Sequence, residues 1–270
     1  NLFFVIGCNM SAEGVAIASA IAQWVSAILI MIHLLHRKDC CRICLHKLRF
    51  HRLASKRVLL IGVPSGLQNA IFAVANLFVQ AGLNSFDEIT VSGAAAAANA
   101  DTLVFNMMAA FYTACASFVS RNWGAGRNDR IRKSYYISML YASIVGAVAG
   151  VLLLVFGRQF LGFFADKPEV IDAGVDRLRI MAFSYFIAPL MDASIAASRG
   201  LGRSVAPTVM VIMGSCVFRV VWIYTVFAFF HTITSLYLLY IVSWIITGVA
   251  EAIYFRITYK KCVLQKTMTW

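Results

Sequence analysis

The stretch YYISMLYASIVGAVAGVLLLVF, Tyr135 to Phe156, decides the fold. It runs 22 residues without a charged side chain, and about 20 apolar residues of helix suffice to cross a hydrocarbon layer of about 30 Å. No polar face returns in it every 3.6 residues, as it would in the core helix of a small soluble domain. Before it stand Arg127, Arg130, Arg132 and Lys133; beyond its other end the chain carries the acids Asp166, Glu169, Asp172 and Asp176. A greasy run with bases on one side and acids beyond the other reads as a membrane span of fixed direction.

Six runs of the same kind lie outward from it: Gly14 to Leu35, Val58 to Leu83, Ile89 to Val119, Leu178 to Ala197, Val205 to Phe230 and Leu236 to Phe255. They account for a chain that is 61% apolar and 13% charged, against roughly a quarter charged in soluble domains. Basic residues crowd into four connectors, Arg37 to Arg57, Arg121 to Lys133, Arg199 to Arg203 and Arg256 to Lys266, which hold 19 of the 24 Lys and Arg. They alternate with poor ones, Asn84 to Glu88, Gly157 to Asp176 and the short turn at His231. Short basic loops stay on the cytoplasmic side, so the alternation predicts that the first run ends inside and that the following six start and finish inside. Topology thus explains the formal charge of +12, and no nucleic-acid partner is called for, since no basic segment carries a reading module. The expected fold is an all-α, polytopic bundle in a lipid bilayer. Residues 1–36 close one lobe, 37–57 form a basic linker, and 58–270 form a six-helix lobe. The chain begins at Asn1 with no basic leader, and it reads as a fragment of a longer polypeptide.

Several local patterns resemble the multidrug and toxic compound extrusion (MATE) family. Gly14 to Gln23, rich in glycine, alanine and serine, is similar to the close of that family's sixth helix. Gly62-Val63-Pro64-Ser65-Gly66-Leu67-Gln68-Asn69, followed by Asn76 and Gln80, resembles the seventh. Asp101 with the alanines before it, and Phe118-Val119-Ser120-Arg121-Asn122-Trp123-Gly124-Ala125-Gly126-Arg127, resemble the eighth helix and its loop, with Arg121 where glutamine is usual. Ser198-Arg199-Gly200-Leu201-Gly202-Arg203-Ser204 and Pro207 match the loop between the tenth and eleventh, Arg219 falls where the eleventh often carries arginine, and Ser243-Trp244 fits the twelfth. The order of these patterns covers nearly the whole chain. The resemblance implies two six-helix lobes related by an axis along the membrane normal, one of them whole here and the other, N-terminal, lobe represented by its last helix.

Charged groups inside a bilayer cost about 2.5–3.5 kcal/mol or more each, so they are candidates for function. Arg219 lies too deep to reach water easily and needs a partner, with Asp101 and Asp192 as the two candidates. Asp101 stands near mid-depth and is the foremost proton-carrying candidate, because a desolvated carboxylate holds a proton until a rewetted cavity releases it. Asp192 follows Pro189, which frees the carbonyl of Tyr185 at an expected kink and suits a gate or cation site. The resemblance puts the family's tenth-helix acid nearer Ala188 and its seventh-helix acid near Phe72. Glu251, close to Arg256, is expected to reach the aqueous edge and to be structural. Gln68, Asn69, Asn76, Asn106, Met108 and Phe111, with Phe105, Met107 and Tyr112, are candidates for an adaptable pocket, since aromatic faces and methionine suit flat cations. Cys40, Cys41 and Cys44 stand among His33, His36, His46 and His51, but the spacing fits no four-ligand zinc pattern, and free thiols without metal are expected.

These readings converge on a non-enzymatic antiporter that exports small organic cations by alternating access, driven by H+ or Na+ and needing no other cofactor. The nearest rival is a flippase for lipid-linked oligosaccharides in the wider superfamily, which would want a cationic cavity. A scaffold that transports nothing is the other.

Overall fold

A computed structural model describes residues 3–7, 10, 12–38, 42–44 and 49–268. Among these there is no strand, and the chain forms two compact units, Asn1–Ser55 and Lys56–Trp270. The first holds a π-helical turn, Phe3–Gly7, and helix α1, Ala12–His36. Trp24, Ile28 and Leu29 of α1 are exposed. Such a helix needs lipid or other protein around it, because nothing among the described residues of its own unit covers those side chains.

The second unit contains the helices that follow. They are α2 (Arg52–Leu83, which starts at the unit boundary), α3 (Glu88–Gly124), α4 (Asn128–Leu161), α5 (Pro168–Gly200), α6 (Val205–Phe230) and α7 (Ile233–Met268). Together with α1, all seven are long and apolar enough to cross a bilayer. All but α6 extend past their hydrophobic runs: α4 takes in Asn128 to Ser134, and α2 begins inside the basic stretch at Arg52. Hydropathy stops at the first charge, whereas the backbone keeps its i to i−4 bonds into the headgroup layer. Cys40, Cys41 and His46 of the linker lie outside the described residues.

Helix α5 is the core of this unit, with α3, α4 and α7 packed around it. Small residues make this possible, because packing rather than solvent exclusion joins helices in lipid. A Cβ on Gly146 of α4 would collide with the carbonyl oxygen of Tyr185 and come 3.0 Å from the Met108 sulfur. Around that contact lie Val104, Met108, Met181, Tyr185, Met191 and Trp244, all buried. Helix α6 alternates α-helical and π-helical turns, the latter at Ile212–Val217 and Ile223–Phe227. It ends at His231, in the left-handed region at φ 44°.

The ends of α3 and α5 share one closing device. Arg127 N–H donates to the Asn122 carbonyl at 2.9 Å and Arg203 N–H to the Ser198 carbonyl at 3.1 Å. Gly126 and Gly202 sit between, at φ 71° and 79°. This six-to-one closure wants a left-handed residue just past the helix, which glycine takes without a Cβ clash. The two Gly-x-Gly-Arg segments of the sequence are therefore helix stops at the basic end of the bundle.

Candidate substrate and ion site

A cavity of about 510 Å³ lies among α2, α3, α5 and α7. Helical spacing delivers its lining: Gln68, Asn69 and Phe72 from α2, then Phe105, Asn106 and Tyr112 from α3. Asp192 and Arg199, seven residues apart on α5, face it from a third side, and Trp244 of α7 closes the fourth. Phe105 is the hinge of the aromatic wall, edge-on to Tyr185 at 5.8 Å and to Trp244 at 5.6 Å. Arg199 donates to the Tyr112 hydroxyl at 2.6 Å and to Gln68 Oε1 at 2.8 Å, so one guanidinium ties α2, α3 and α5 together. Asp192 is half-buried and makes no hydrogen bond or ion pair among the described residues. A single uncommitted carboxylate among aromatic faces and amides is a chemistry suited to an organic cation.

The structure brings Gln68, Asn69, Phe105, Asn106, Tyr112 and Asp192 together in that cavity and sends the other candidates elsewhere. Met108 is turned into the core beside Met181 and Tyr185. Phe111 faces Tyr141 on α4, with ring centroids 6.4 Å apart. The 100° step per helical residue separates both from the stripe Phe105, Asn106, Ala109 and Tyr112. Asn76 points to Arg219 and accepts its Nη1–H at 2.8 Å. The Tyr185 carbonyl lies against Gly146 of α4, and Pro189 sits inside a helix that continues unbroken to Gly200. Sequence reasoning missed Arg199 and Trp244 as cavity residues. Arg199 was counted with a basic loop, although its helix runs one residue further.

Asp101 and Tyr185 belong to a second, separate cluster. Arg177 of α5 reaches Asp101 of α3 at 2.5 Å. It also donates to the Ala94 carbonyl, while the Tyr185 hydroxyl donates to the other Asp101 oxygen. The Arg177 guanidinium lies 5.5 Å from the centre of the Tyr237 ring. Both Asp101 oxygens are therefore engaged, so one of the two partners expected for Arg219 is already taken, and the other, Asp192, stands in the cavity without an ion pair among the described residues. Arg219, 1% exposed, lies between the rings of Phe72 and Tyr240 at 4.9 and 4.6 Å instead. Its Nε and Nη2 find no acceptor among the described residues. Phe72 stands where the resemblance puts an acid, and in this chain its face covers a cation.

Arg219→Met is expected to leave the folded lobe within about 1 kcal/mol of the parent. The ring contacts and the charged hydrogen bond, about 0.5–2 and 1.5–3 kcal/mol each, are offset by the dehydration of a guanidinium that nothing neutralises. Thermal denaturation in detergent checks this, and a loss beyond about 3 kcal/mol would make the arginine a net brace.

Glu251 also departs from expectation. It does not reach the aqueous edge but is fully buried, and neither carboxyl oxygen has a hydrogen-bond partner among the described residues.

Among the described residues seven helices are long and apolar enough to cross a bilayer, which makes this a multi-pass membrane protein, with a polar cavity in its second unit. The MatE family model matches residues 64–225, more than half of the chain, and the chain belongs to that family. The "Probable multidrug resistance protein YpnP" of Bacillus subtilis (strain 168) is 25% identical over 131 residues, 48% of this chain and 29% of that protein. The "Probable multidrug resistance protein NorM" of Bacillus licheniformis is 25% identical over 186 residues, 63% of this chain and 39% of that protein. An "FAD transporter" of Shewanella oneidensis is 23% identical over 112 residues, 42% of this chain and 25% of that protein. Among solved structures, a MOP superfamily transporter from Pyrococcus furiosus superposes with a TM-score of 0.87 at 17% identity, covering 97% of this chain and 59% of that one. An outward-facing multidrug resistance MATE family transporter does so with a TM-score of 0.86, also at 17% identity and with the same coverage. At such identities the structural likeness speaks for the fold. The chain spans well under half the length of these curated relatives and 59% of the solved transporters it superposes on.

Proposed function

We propose that the protein exports small organic cations across the membrane in exchange for inward H+ or Na+, by alternating access. The observation that carries this reading is the cavity of about 510 Å³ with aromatic walls and one unpaired carboxylate, Asp192. An acid that binds either a substrate cation or a coupling ion, but not both at once, makes exchange obligatory, because each ligand lowers the other's occupancy. In this proposal residues 1–36 belong to the N-terminal lobe, 37–57 link the lobes, and 58–270 form the C-terminal lobe. The basic connectors lie on the cytoplasmic side. Gln68, Asn69 and Asn106 orient the substrate, while Asp101, Tyr185 and Arg219 hold the helices around it. The multidrug naming of two bacterial relatives supports the substrate class.

Ethidium efflux from proteoliposomes containing the full-length protein, under a proton gradient or a sodium gradient, tests the reading. Asp192→Asn is expected to lower efflux at least about tenfold, on the scale of losing a buried charge contact to the substrate. No efflux by the parent protein under either gradient would overturn drug export. Transport of a lipid-linked pyrophosphate in its place would favour the flippase.

A further inference from the structure

The buried polar atoms that lack a partner are not scattered. Four of the residues that carry them, Ser198, Arg199, Thr208 and Glu251, come from three helices at the end of the bundle that bears the basic loops. Contacts on either side fix the level of Glu251. One turn before it, Gly248 abuts Leu190 and the Met191 backbone of α5. One turn after it, Phe255 packs among Ala196, Ala197, Leu201 and Tyr135. Helices α5 and α7 run parallel, so Glu251 stands level with the stretch between Asp192 and Arg199. Gly214 of α6 lies against Thr247, which puts Thr208 on α6 within about a turn of the same level, given the rise of 1.5 Å per residue.

The charged and titratable groups on the elements around Glu251 can be named. Helix α5 carries Asp192 and Arg199, α6 carries Cys216 and Arg219, α4 carries Tyr135 and Tyr136, and α7 itself carries Tyr254, Arg256 and Tyr259. Of these, Arg199 is the cation on α5 at that level, and it lines the same cavity as Asp192. Arg199 spends two N–H groups on Tyr112 and Gln68, and its Nε has no hydrogen-bond partner among the described residues. A bare carboxylate at Glu251 would forfeit several kcal/mol of hydration with nothing to replace it. Two arrangements avoid that cost: a neutral acid beside an engaged Arg199, or an ionised acid joined to Arg199.

We infer that Glu251 is a second proton-carrying side chain of the transport cycle, and that Arg199 is the latch it operates. With the proton on Glu251, Arg199 stays on Gln68 and Tyr112 and holds α2, α3 and α5 together beside the cavity. When the O–H bond breaks and the proton passes to water at the basic-loop end, the carboxylate accepts the guanidinium. The hydrogen bonds to Gln68 and Tyr112 are then given up, and Arg199 itself stays protonated throughout. Loosening α2 and α3 opens the cavity in which Asp192 stands. The proton thus drives a change of access that Asp192 alone does not explain. This inference rests on the export reading, but its test does not.

Full-length protein in nanodiscs is followed by infrared difference spectroscopy across a pH titration. Glu251→Gln, an uncharged near-isostere, is expected to remove one carboxylic-acid C=O band, while Asp192→Asn leaves that band in place. In proteoliposomes the Gln variant binds ethidium within about threefold of the parent but loses at least about a hundredfold of proton-driven efflux, the lower end of what a positioned proton carrier contributes. Its ethidium binding also loses one proton's worth of pH dependence. Arg199→Met gives an independent reading that needs no change at Glu251: the acid band persists at pH values where the parent has lost it. The inference is overturned if no band disappears with Glu251→Gln, if the pH dependence is unaltered, or if the band fades at the same pH without Arg199. A parent protein that moves no ethidium would sink the export reading and leave the infrared result intact.

Discussion

Arg177→Met is expected to destabilise the second unit by about 3–5 kcal/mol, the scale for stranding one member of a buried ion pair. The side chains of Asp101 and Arg177 are 10% and 12% exposed, so water does not replace what is lost. The variant keeps most of the arginine's apolar stem and removes the guanidinium. Asp101 then retains only the Tyr185 hydroxyl, and the Ala94 carbonyl loses its donor. The damage falls on the α3 to α5 contact, the centre of the bundle. Restoring charge balance is expected to recover most of the loss: Asp101→Asn with Arg177→Met leaves two neutral groups, and a neutral pair in lipid tolerates imperfect bonding far better than a lone anion. Unfolding in detergent, followed by helix content, checks both variants. If Arg177→Met lies within about 1 kcal/mol of the parent, the pair is no brace, since such a value is typical of a surface ion pair.

The course of the chain was legible because lipid imposes a strong rule on sequence. A run such as Tyr135 to Phe156 can do little else, and the basic connectors mark which ends belong together. Pairing was not legible. Asp101 and Arg177 are 76 residues apart in the chain, and nothing in periodicity tells which helix face meets which. Arg177 sits at the rim of an acidic connector in the sequence, yet its helix begins nine residues earlier, at Pro168. The search for a partner of Arg219 looked for an acid, because an acid is the obvious mate of a guanidinium. The structure supplies two ring faces and an amide, Phe72, Tyr240 and Asn76, which sequence cannot single out among 20 Phe and 10 Tyr. The distance of Glu251 from Arg256 along the helix, five residues, says nothing of the face it shares with Gly248 and Phe255, both packed on α5. Of the pocket candidates on α3, Phe105 and Tyr112, which share a helical stripe with Asn106, fell into the cavity, and Met107, Met108 and Phe111, off that stripe, did not.

Gly146→Val is expected to cost about 3 kcal/mol, the upper end for overpacking a close-packed interior. The neighbour at Gly146 is a backbone carbonyl, that of Tyr185, which cannot swing aside as a side chain would. One turn on, a Cβ at Gly150 would also stand 2.9 Å from the Ala182 carbonyl, so α4 meets α5 backbone to backbone over at least a turn. Separating the two helices would shift Tyr185, and with it both the hydroxyl that holds Asp101 and the ring that supports Phe105 on the cavity wall. Ethidium binding is therefore expected to weaken along with stability, although residue 146 lines no part of the cavity. Gly62→Ala provides the contrast, because nothing lies within 4 Å of a Cβ there. It sits inside α2, where alanine is favoured over glycine by up to about 1 kcal/mol, so that variant should be neutral or slightly more stable. Melting curves and ethidium titrations on the two proteins decide the matter. A valine tolerated at 146 together with an alanine rejected at 62 would mean that glycines do not set the α4 to α5 approach, and that side chains alone hold the lobe together.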